Sequence, residues 1–282
     1  MPAESPLAFI RHRLEGIYPP TEIRSLTRLL VEDGLGMQML DFYTGKVKEL
    51  SEEKETKLRE MLARLARYEP IQYVVGKTEF DGLTFHTAPG VLIPRPETEE
   101  LVDWICESAA PARILDAGTG SGCIAIALAR RFPNAEVDAW DISPEALRIA
   151  EGNNRLNGTH VHFFRRDILA DTPIGETPHR YDLLVSNPPY VMQKERGGMA
   201  RNVLDWEPET ALFVPDDDPL LFYRALARLG KRLLVNGGRI YLEINCLLAK
   251  EMTHMLEAES YSGVVVRKDL FGKDRMVSAI NP

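Results

Sequence analysis

Residues 112–131 join three kinds of chain in a fixed order, and that order is what most restricts the fold. Ala112-Arg113-Ile114-Leu115-Asp116 is a short apolar run that reads as a buried strand. Ala117-Gly118-Thr119-Gly120-Ser121-Gly122 follows, and Cys123-Ile124-Ala125-Ile126-Ala127-Leu128-Ala129-Arg130-Arg131 has the composition of a helix. Strand, glycine turn and helix in succession form the unit of a doubly wound sheet. The glycines permit the tight reversal and let backbone approach a nucleotide cofactor. A second strand-like run, Glu136-Val137-Asp138-Ala139-Trp140, ends at Asp141 about twenty residues beyond the turn. An acid at that spacing can take both hydroxyls of a ribose. Read from Gly120, the same turn satisfies the G-x-G-x-x-A pattern of nicotinamide enzymes, so the turn alone leaves the cofactor open.

From about residue 97 onward, strands and helices alternate. Strands are predicted at 113–116, 136–141, 160–165, 181–186, 238–244, 263–268 and 276–280, and helices at 97–108, 122–131, 144–156, 219–234 and 246–257. Such alternation implies an α/β protein with a mainly parallel sheet wound on both faces. The last two strands are joined only by Asp269-Leu270-Phe271-Gly272-Lys273-Asp274, a link too short for a crossover, so they should pair antiparallel. Residues 1–70 read instead as a small helical bundle. Thr21 is a candidate N-cap before Ile23, Leu26, Leu29 and Leu30, and Ser51 opens a helix whose Leu58, Met61, Leu62 and Leu65 share one face. Between 71 and 95 the period shortens, and Asp81-Gly82 marks a hairpin turn before Leu83-Thr84-Phe85. The expected organisation is a helical recognition domain over 1–70, a β-hairpin linker over 71–95 and a catalytic domain over 96–282.

The tip of the fourth predicted strand carries the chemistry. Tyr181-Asp182-Leu183-Leu184-Val185-Ser186 runs into Asn187-Pro188-Pro189-Tyr190. Two prolines remove two backbone donors and fix two φ angles, so the strand stops there. An amide side chain, free carbonyls and an aromatic ring remain at its end. Asn187 Oδ1 and the Pro188 carbonyl can each accept one N–H of a primary amide or amine. The long polar stretch 191–218 that follows reads as a loop facing the substrate.

Composition narrows the partners. The 282 residues are 44% hydrophobic and 27% charged, with a formal net charge of -8. An acidic chain lacks the basic footprint of a duplex-binding protein, so no direct nucleic-acid contact is expected. No apolar run approaches the ~20 residues that span a bilayer, and Glu4 and Pro6 interrupt any signal-peptide pattern. Cys106, Cys123 and Cys246 are too widely spaced for a zinc site or a disulfide framework, which points to a cytoplasmic protein without metal. His160 and His162, with no third ligand nearby, read as structural.

Together these segments resemble class I S-adenosylmethionine-dependent methyltransferases. More closely, the chain resembles the HemK/PrmC family of protein-(glutamine-N5) methyltransferases. The resemblance rests on Glu69-Pro70-Ile71-Gln72-Tyr73-Val74-Val75-Gly76, Glu79-Phe80-Asp81-Gly82, Ile93-Pro94-Arg95-Pro96-Glu97-Thr98-Glu99 and Asp116 to Gly122. It continues through Asn187-Pro188-Pro189-Tyr190, Glu207-Pro208 and Asp269 to Arg275. It implies a Rossmann-like seven-stranded sheet with the last strand antiparallel, and methylation of the glutamine of a Gly-Gly-Gln segment in class 1 peptide chain release factors. It also implies that Gly118, Thr119, Gly120, Ser121 and Gly122 line the methionine part of the cofactor and that Asp141 holds its ribose. Asp167 and Ile168 would border its adenine. Asn187, Pro188, Pro189 and Tyr190 would bind the acceptor, with Asn187, Pro188 and Tyr190 carrying catalysis and Asn187 also reaching the cofactor. The alternative is an adenine-N6 methyltransferase acting on DNA or RNA, since the Asn-Pro-Pro-Tyr tip is shared with such enzymes. Asn245 and Cys246 stand where the family has Gly and, further on, Gln, and Trp206 stands for the usual Tyr. Neither departure is expected to touch the chemistry.

Overall fold

The computed structural model describes residues 5–170 and 181–282. The chain divides into two compact units. The first comprises Met1–Lys77, Thr87–Pro89 and Ala200–Trp206; the second comprises Thr78–His86, Gly90–Met199 and Glu207–Pro282.

In the first unit the α-helices among the described residues are Pro6–Leu14, Pro20–Leu29, Met39–Tyr43, Glu52–Leu65, Ile71–Val75 and the short Arg201–Leu204. The apolar faces of the first five close on a core that includes Ile10, Leu14, Leu30, Leu58 and Leu65. Ser51 caps its helix by accepting from Lys54 N at 3.4 Å. The second helix starts one residue before the expected Thr21 cap. Pro19 takes the cap position and Pro20 the first turn, where a preset φ and a missing N–H cost nothing. Ile71–Val75, whose short apolar period resembles extended chain, is a single helical turn closed by Gly76 at φ 80°. It is held by Arg64, which donates to Tyr73 O (3.0 Å), Val74 O (3.1 Å) and the buried Glu69 carboxylate (2.9 Å).

The second unit is built on seven strands: β1 Arg113–Ala117, β2 Glu136–Asp141, β3 Val161–Arg165, β4 Tyr181–Ser186, β5 Leu234–Glu243, β6 Ser262–Lys268 and β7 Asp274–Ile280. Their order across the sheet is β6-β7-β5-β4-β1-β2-β3. The neighbours from β3 to β5 are parallel, and β7 is antiparallel to both β5 and β6. The expected alternation and the antiparallel last strand are both present: helices lie between β1 and β2, β2 and β3, β4 and β5, and β5 and β6, while β6 and β7 are joined by the short 269–273 turn.

Side chains alternate across the sheet. Leu115 and Ala117 join one core with helices Leu221–Leu233 and Ala249–Ala258. Ile114 joins another with helices Pro96–Cys106 and Cys123–Arg131. The direction of strand order reverses between β1 and β4. The crevice beyond the carboxyl ends of those two strands is where such sheets bind ligands. The hairpin Lys77–Phe80/Leu83–His86 turns through Asp81 (φ 51°) and Gly82 (φ 69°), both left-handed as a two-residue turn of this hand requires. Among the described residues no helix is long and apolar enough to cross a membrane.

Candidate active site

A cavity of about 490 Å³ opens at the β1/β4 switch point. Its volume lies in the range of cofactor and small-molecule sites. Gly118, Thr119, Gly120 and Ser121 line it, as do Asp141 at the end of β2, Asp167 and Ile168 after β3, and Asn187, Pro188 and Pro189 after β4. Four segments far apart in sequence thus meet in one crevice. Gly122 and Tyr190 are not among the lining residues.

The turn after β1 is held from both sides. Gly118 and Thr119 donate to Trp140 O (2.8 and 2.9 Å), and Gly120 N donates to Asp141 Oδ2 (2.8 Å). Asp141 Oδ1 accepts from Ser143 N at 2.8 Å, which opens helix Pro144–Asn157. Gly120 sits at φ 55°, and a Cβ placed there would meet nothing within 4 Å, so its Cα faces open space. Gly122 differs: at φ 83° its missing Cβ would lie 3.0 Å from Ile126 Cδ1 and 3.1 Å from Ala150 Cβ. Gly122 therefore serves close packing of two helices. Asn153, fully buried, ties the turn to the hairpin by donating to Ser121 O (2.9 Å) and His86 O (3.1 Å) and accepting from His86 N (2.7 Å).

Beneath the turn lies Asp116, completely buried. Its Oδ2 accepts from Thr119 Oγ1 (2.6 Å) and Ala125 N (3.2 Å). Burial pushes its carboxyl up to about 7, against the lowering effect of those two bonds. Among the described residues Asp116 Oδ1 and Ser121 Oγ have no protein partner. Buried polar atoms are rarely left so. Of the two residues, Ser121 lines the cavity and Asp116 does not.

Asn187 donates Nδ2 to Thr98 Oγ1 at 3.2 Å, and Thr98 donates in turn to Glu243 Oε2 at 2.6 Å. Tyr190 turns its hydroxyl to the same carboxylate, donating to Glu243 Oε1 at 3.0 Å. Its ring packs on the core beneath β4 and β5. Burial drives the Tyr190 hydroxyl far above its ordinary value, with the Glu243 charge adding to the effect, so it stays protonated. Asn245 donates to Tyr190 O (3.1 Å) and Glu195 Oε2 (2.8 Å). Asn245 therefore ties the residue after β5 to the backbone of the strand tip.

The stretch 191–218 is ordered structure. Val191–Met192 pairs in parallel with Phe213–Val214. Glu207 is buried and accepts from Ile93 N at 3.1 Å and from the Arg95 guanidinium. Pro208, Thr210, Ala211 and Phe213 thereby form one side of the cavity. Trp206 belongs to the first unit, where its indole donates to Arg67 O at 3.2 Å. Among the described residues no cluster of three or more His, Cys, Asp or Glu side chains is placed to hold a metal ion.

Thr98, Asp116, Asn153, Glu207 and Glu243 escape a reading of the sequence as site residues. Each lies inside or beside a quoted motif or predicted element, and the available signal is a polar residue flanked by core residues.

Comparison with known proteins agrees with this architecture. Residues 7–76 match the PrmC N-terminal domain family, and residues 83–205 match the methyltransferase small domain family. The chain is 52% identical over 273 residues to a release factor glutamine methyltransferase of Bacteroides thetaiotaomicron, covering 96% of this chain and 98% of that protein. It is 40% identical over 270 residues to the release factor glutamine methyltransferase of Flavobacterium psychrophilum, covering 94% of each. Among solved structures, a methyltransferase from Pyrococcus furiosus shares the fold at a TM-score of 0.53 and 17% identity, over 82% of this chain and 99% of that one.

Proposed function

The chain belongs to the release factor glutamine methyltransferase family, and we propose that it methylates the side-chain amide nitrogen of the glutamine in the Gly-Gly-Gln segment of a class 1 peptide chain release factor, with S-adenosylmethionine as methyl donor. The observation that carries this reading is one cavity bounded by a glycine turn and a ribose-type acid on one side and an Asn-Pro-Pro tip on the other. Glycine turn and acid suit the donor; the tip suits a primary amide.

The residues fit the cofactor part by part. Gly118 to Ser121 would hold the methionine portion, with the unpaired Ser121 Oγ as a polar partner. Asp141 would take the ribose hydroxyls with the acceptor capacity left after Gly120 N and Ser143 N. Asp167 and Ile168 would border the adenine. Bound there, S-adenosylmethionine supplies a methyl group already activated on a sulfonium and leaves as S-adenosylhomocysteine.

The work of the protein is then on the acceptor. An amide nitrogen shares its lone pair with its carbonyl and attacks poorly. Asn187 Oδ1 and the Pro188 carbonyl accept its two hydrogens, hold the nitrogen in one orientation and stabilise the positive charge that develops on it. The proton can leave after transfer, so no strong general base is needed. Asn187 Nδ2 is engaged by Thr98, which leaves Oδ1 as the free end. Tyr190, anchored on Glu243, backs the tip.

The first unit is assigned to docking of the release factor. Its helix Met39–Tyr43 exposes Leu40 (62%) and Tyr43 (73%), side chains the unit's own core does not use. Leu40→Ser with Tyr43→Ala should raise KM for a whole release factor several-fold and leave cofactor Kd unchanged; an unchanged KM removes this assignment. A substrate of this kind places the reaction in the cytoplasm, in keeping with three free cysteines.

The deciding experiment offers a release factor and DNA in parallel, with labelled S-adenosylmethionine. Mass spectrometry should find one methyl group on the glutamine side chain. Label in DNA and not in protein would transfer the assignment to adenine.

A further inference from the structure

Tyr190 directly, and Asn187 through Thr98, lead to one side chain that takes no direct part in the proposed chemistry. Glu243 ends β5, next to β4 in the sheet, and is 1% exposed. One of its oxygens receives Thr98 and the other receives Tyr190. Burial pushes the Glu243 carboxyl above its ordinary value; the hydrogen bonds from Thr98 and Tyr190 and the positive charge of Arg275 oppose that rise, and Glu97 adds to it. A buried carboxylate of this kind costs several kcal/mol to desolvate, which its hydrogen bonds must offset.

A count of hydrogens shows what the bonds do. The Thr98 hydroxyl has one hydrogen, and at 2.6 Å that hydrogen is spent on Glu243 Oε2. Toward Asn187 the hydroxyl can then only accept. The Asn187 amide must present its NH₂ to Thr98 and turn Oδ1 the other way. Without an acceptor behind Thr98 the hydroxyl could equally donate to Oδ1, and the amide could sit flipped with its acceptor withdrawn. Carboxylate, hydroxyl and amide thus form a directional relay.

We infer that Glu243 is a positioning residue that, through Thr98, fixes the polarity of the Asn187 amide and, by its other oxygen, clamps Tyr190, so that one buried carboxylate sets the acceptor-binding geometry of the whole tip. The inference rests on the reading of Asn187 as the acceptor of the substrate amide. Helix Pro96–Cys106 is tied to the strand tip by this relay, which gives Thr98 a role beyond helix initiation.

Glu243→Gln keeps the shape but replaces one acceptor by a donor. If the new NH₂ faces Thr98, the hydroxyl accepts there and redirects its hydrogen to Asn187, which favours the flipped amide. If it faces Tyr190, the phenol can only accept from it and its own hydrogen loses the Glu243 acceptor, which loosens the clamp on the tip. Thr98→Val removes the relay at its centre, and Thr98→Ser restores it.

The full-length protein and these variants should be compared in three measurements. With a release factor as substrate, Glu243→Gln and Thr98→Val should each lose roughly tenfold or more in kcat, the scale of one lost oriented hydrogen bond. Cofactor Kd should stay put, and Thr98→Ser should recover most of the rate. The Thr98→Val/Glu243→Gln double variant should be little worse than either single one, since both break one relay. In the cofactor-free protein, the side-chain ¹⁵N–¹H pair of Asn187 should shift and lose exchange protection in Glu243→Gln and Thr98→Val, but not in Thr98→Ser.

Losses that simply multiply, or Asn187 amide signals unmoved in both Glu243→Gln and Thr98→Val, overturn the relay. The spectroscopic arm needs no substrate. A wild-type protein inactive on release factors would therefore strike the proposed function, while the Asn187 signals would still judge the relay.

Discussion

Glu207 closes a buried ion pair with Arg95 across 112 residues of sequence. The glutamate side chain is 1% exposed and the arginine 32%. The pair joins the segment that enters helix Pro96–Cys106 to the stretch that forms one side of the cavity, and the second glutamate oxygen fixes Ile93 N. Two segments that looked like separate motifs are one structural joint.

Removing that joint should cost stability and loosen the cavity together. Glu207→Ala deletes a charge-assisted bond and leaves Ile93 N without its acceptor. The loss should be about 2 kcal/mol, below the full figure for a buried pair because Arg95 can turn to water. Urea unfolding checks the stability. Glu207→Gln, which keeps one acceptor, should fall between Ala and wild type. An Ala variant as stable as wild type would mean the pair only decorates the cavity.

Asp116 should make the cofactor-free protein pH-sensitive. An unfolded aspartate ionises near pH 4, while burial holds Asp116 at about 7. Its folded pKa is raised, so its contribution to stability is complete below the unfolded value and is lost as pH rises through about 7. Asp116→Asn mimics the protonated form and keeps an acceptor for Thr119 and Ala125. Relative to wild type, the Asn variant should gain stability between pH 5 and pH 8. Equal differences at the two pH values would show that Asp116 ionises normally.

Asp141 has two tasks. Its carboxylate holds the glycine turn through Gly120 N and the next helix through Ser143 N, and the same group is assigned to the ribose. Asp141→Ala should weaken cofactor binding by roughly 1–3 kcal/mol as those bonds are lost. Calorimetry with S-adenosylhomocysteine measures it. Unchanged affinity would move the ribose elsewhere in the cavity.

The sheet was legible in the sequence because parallel strands buried on both faces are continuous apolar runs bounded by glycine and proline. Ile114-Leu115 and Leu183-Leu184-Val185 are of that kind, 136–141 alternates polar and apolar residues instead, and each of the three segments forms its strand nearly to the residue. The glycine turn and the Asn-Pro-Pro tip were legible because backbone chemistry there is local. Thr98 and Glu243 were not. They stand 145 residues apart. In one dimension the first is a threonine in an opening helical turn and the second a glutamate at a strand end. Only the packing of helix Pro96–Cys106 beside β5 makes them one site. The first-unit turn Ile71–Val75 misled for the converse reason: its tertiary anchor, Arg64, lies outside the local window.

Asn187 should prove the most sensitive side chain of the protein. Its Oδ1 is the only side-chain acceptor that the Asn-Pro-Pro tip offers, and its Nδ2 is already committed to Thr98. Asn187→Ala removes the acceptor and should lower turnover at least ~100-fold, the range seen when one hydrogen-bonding group for the transition state is deleted. Asn187→Asp keeps an oxygen but cannot donate to Thr98, and it adds a charge close to Glu243, so it should not restore the rate. Cofactor affinity should change far less in either variant, because the glycine turn and Asp141 lie on other strands. Tyr190→Phe keeps the packing and loses only the bond to Glu243, so it should cost less than Tyr190→Ala, which removes the backing of the tip. Mass spectrometry of the release factor gives turnover and the modified atom in one experiment. An Asn187→Ala enzyme within tenfold of wild type would show that backbone carbonyls alone orient the amide, and the catalytic role would pass to Pro188.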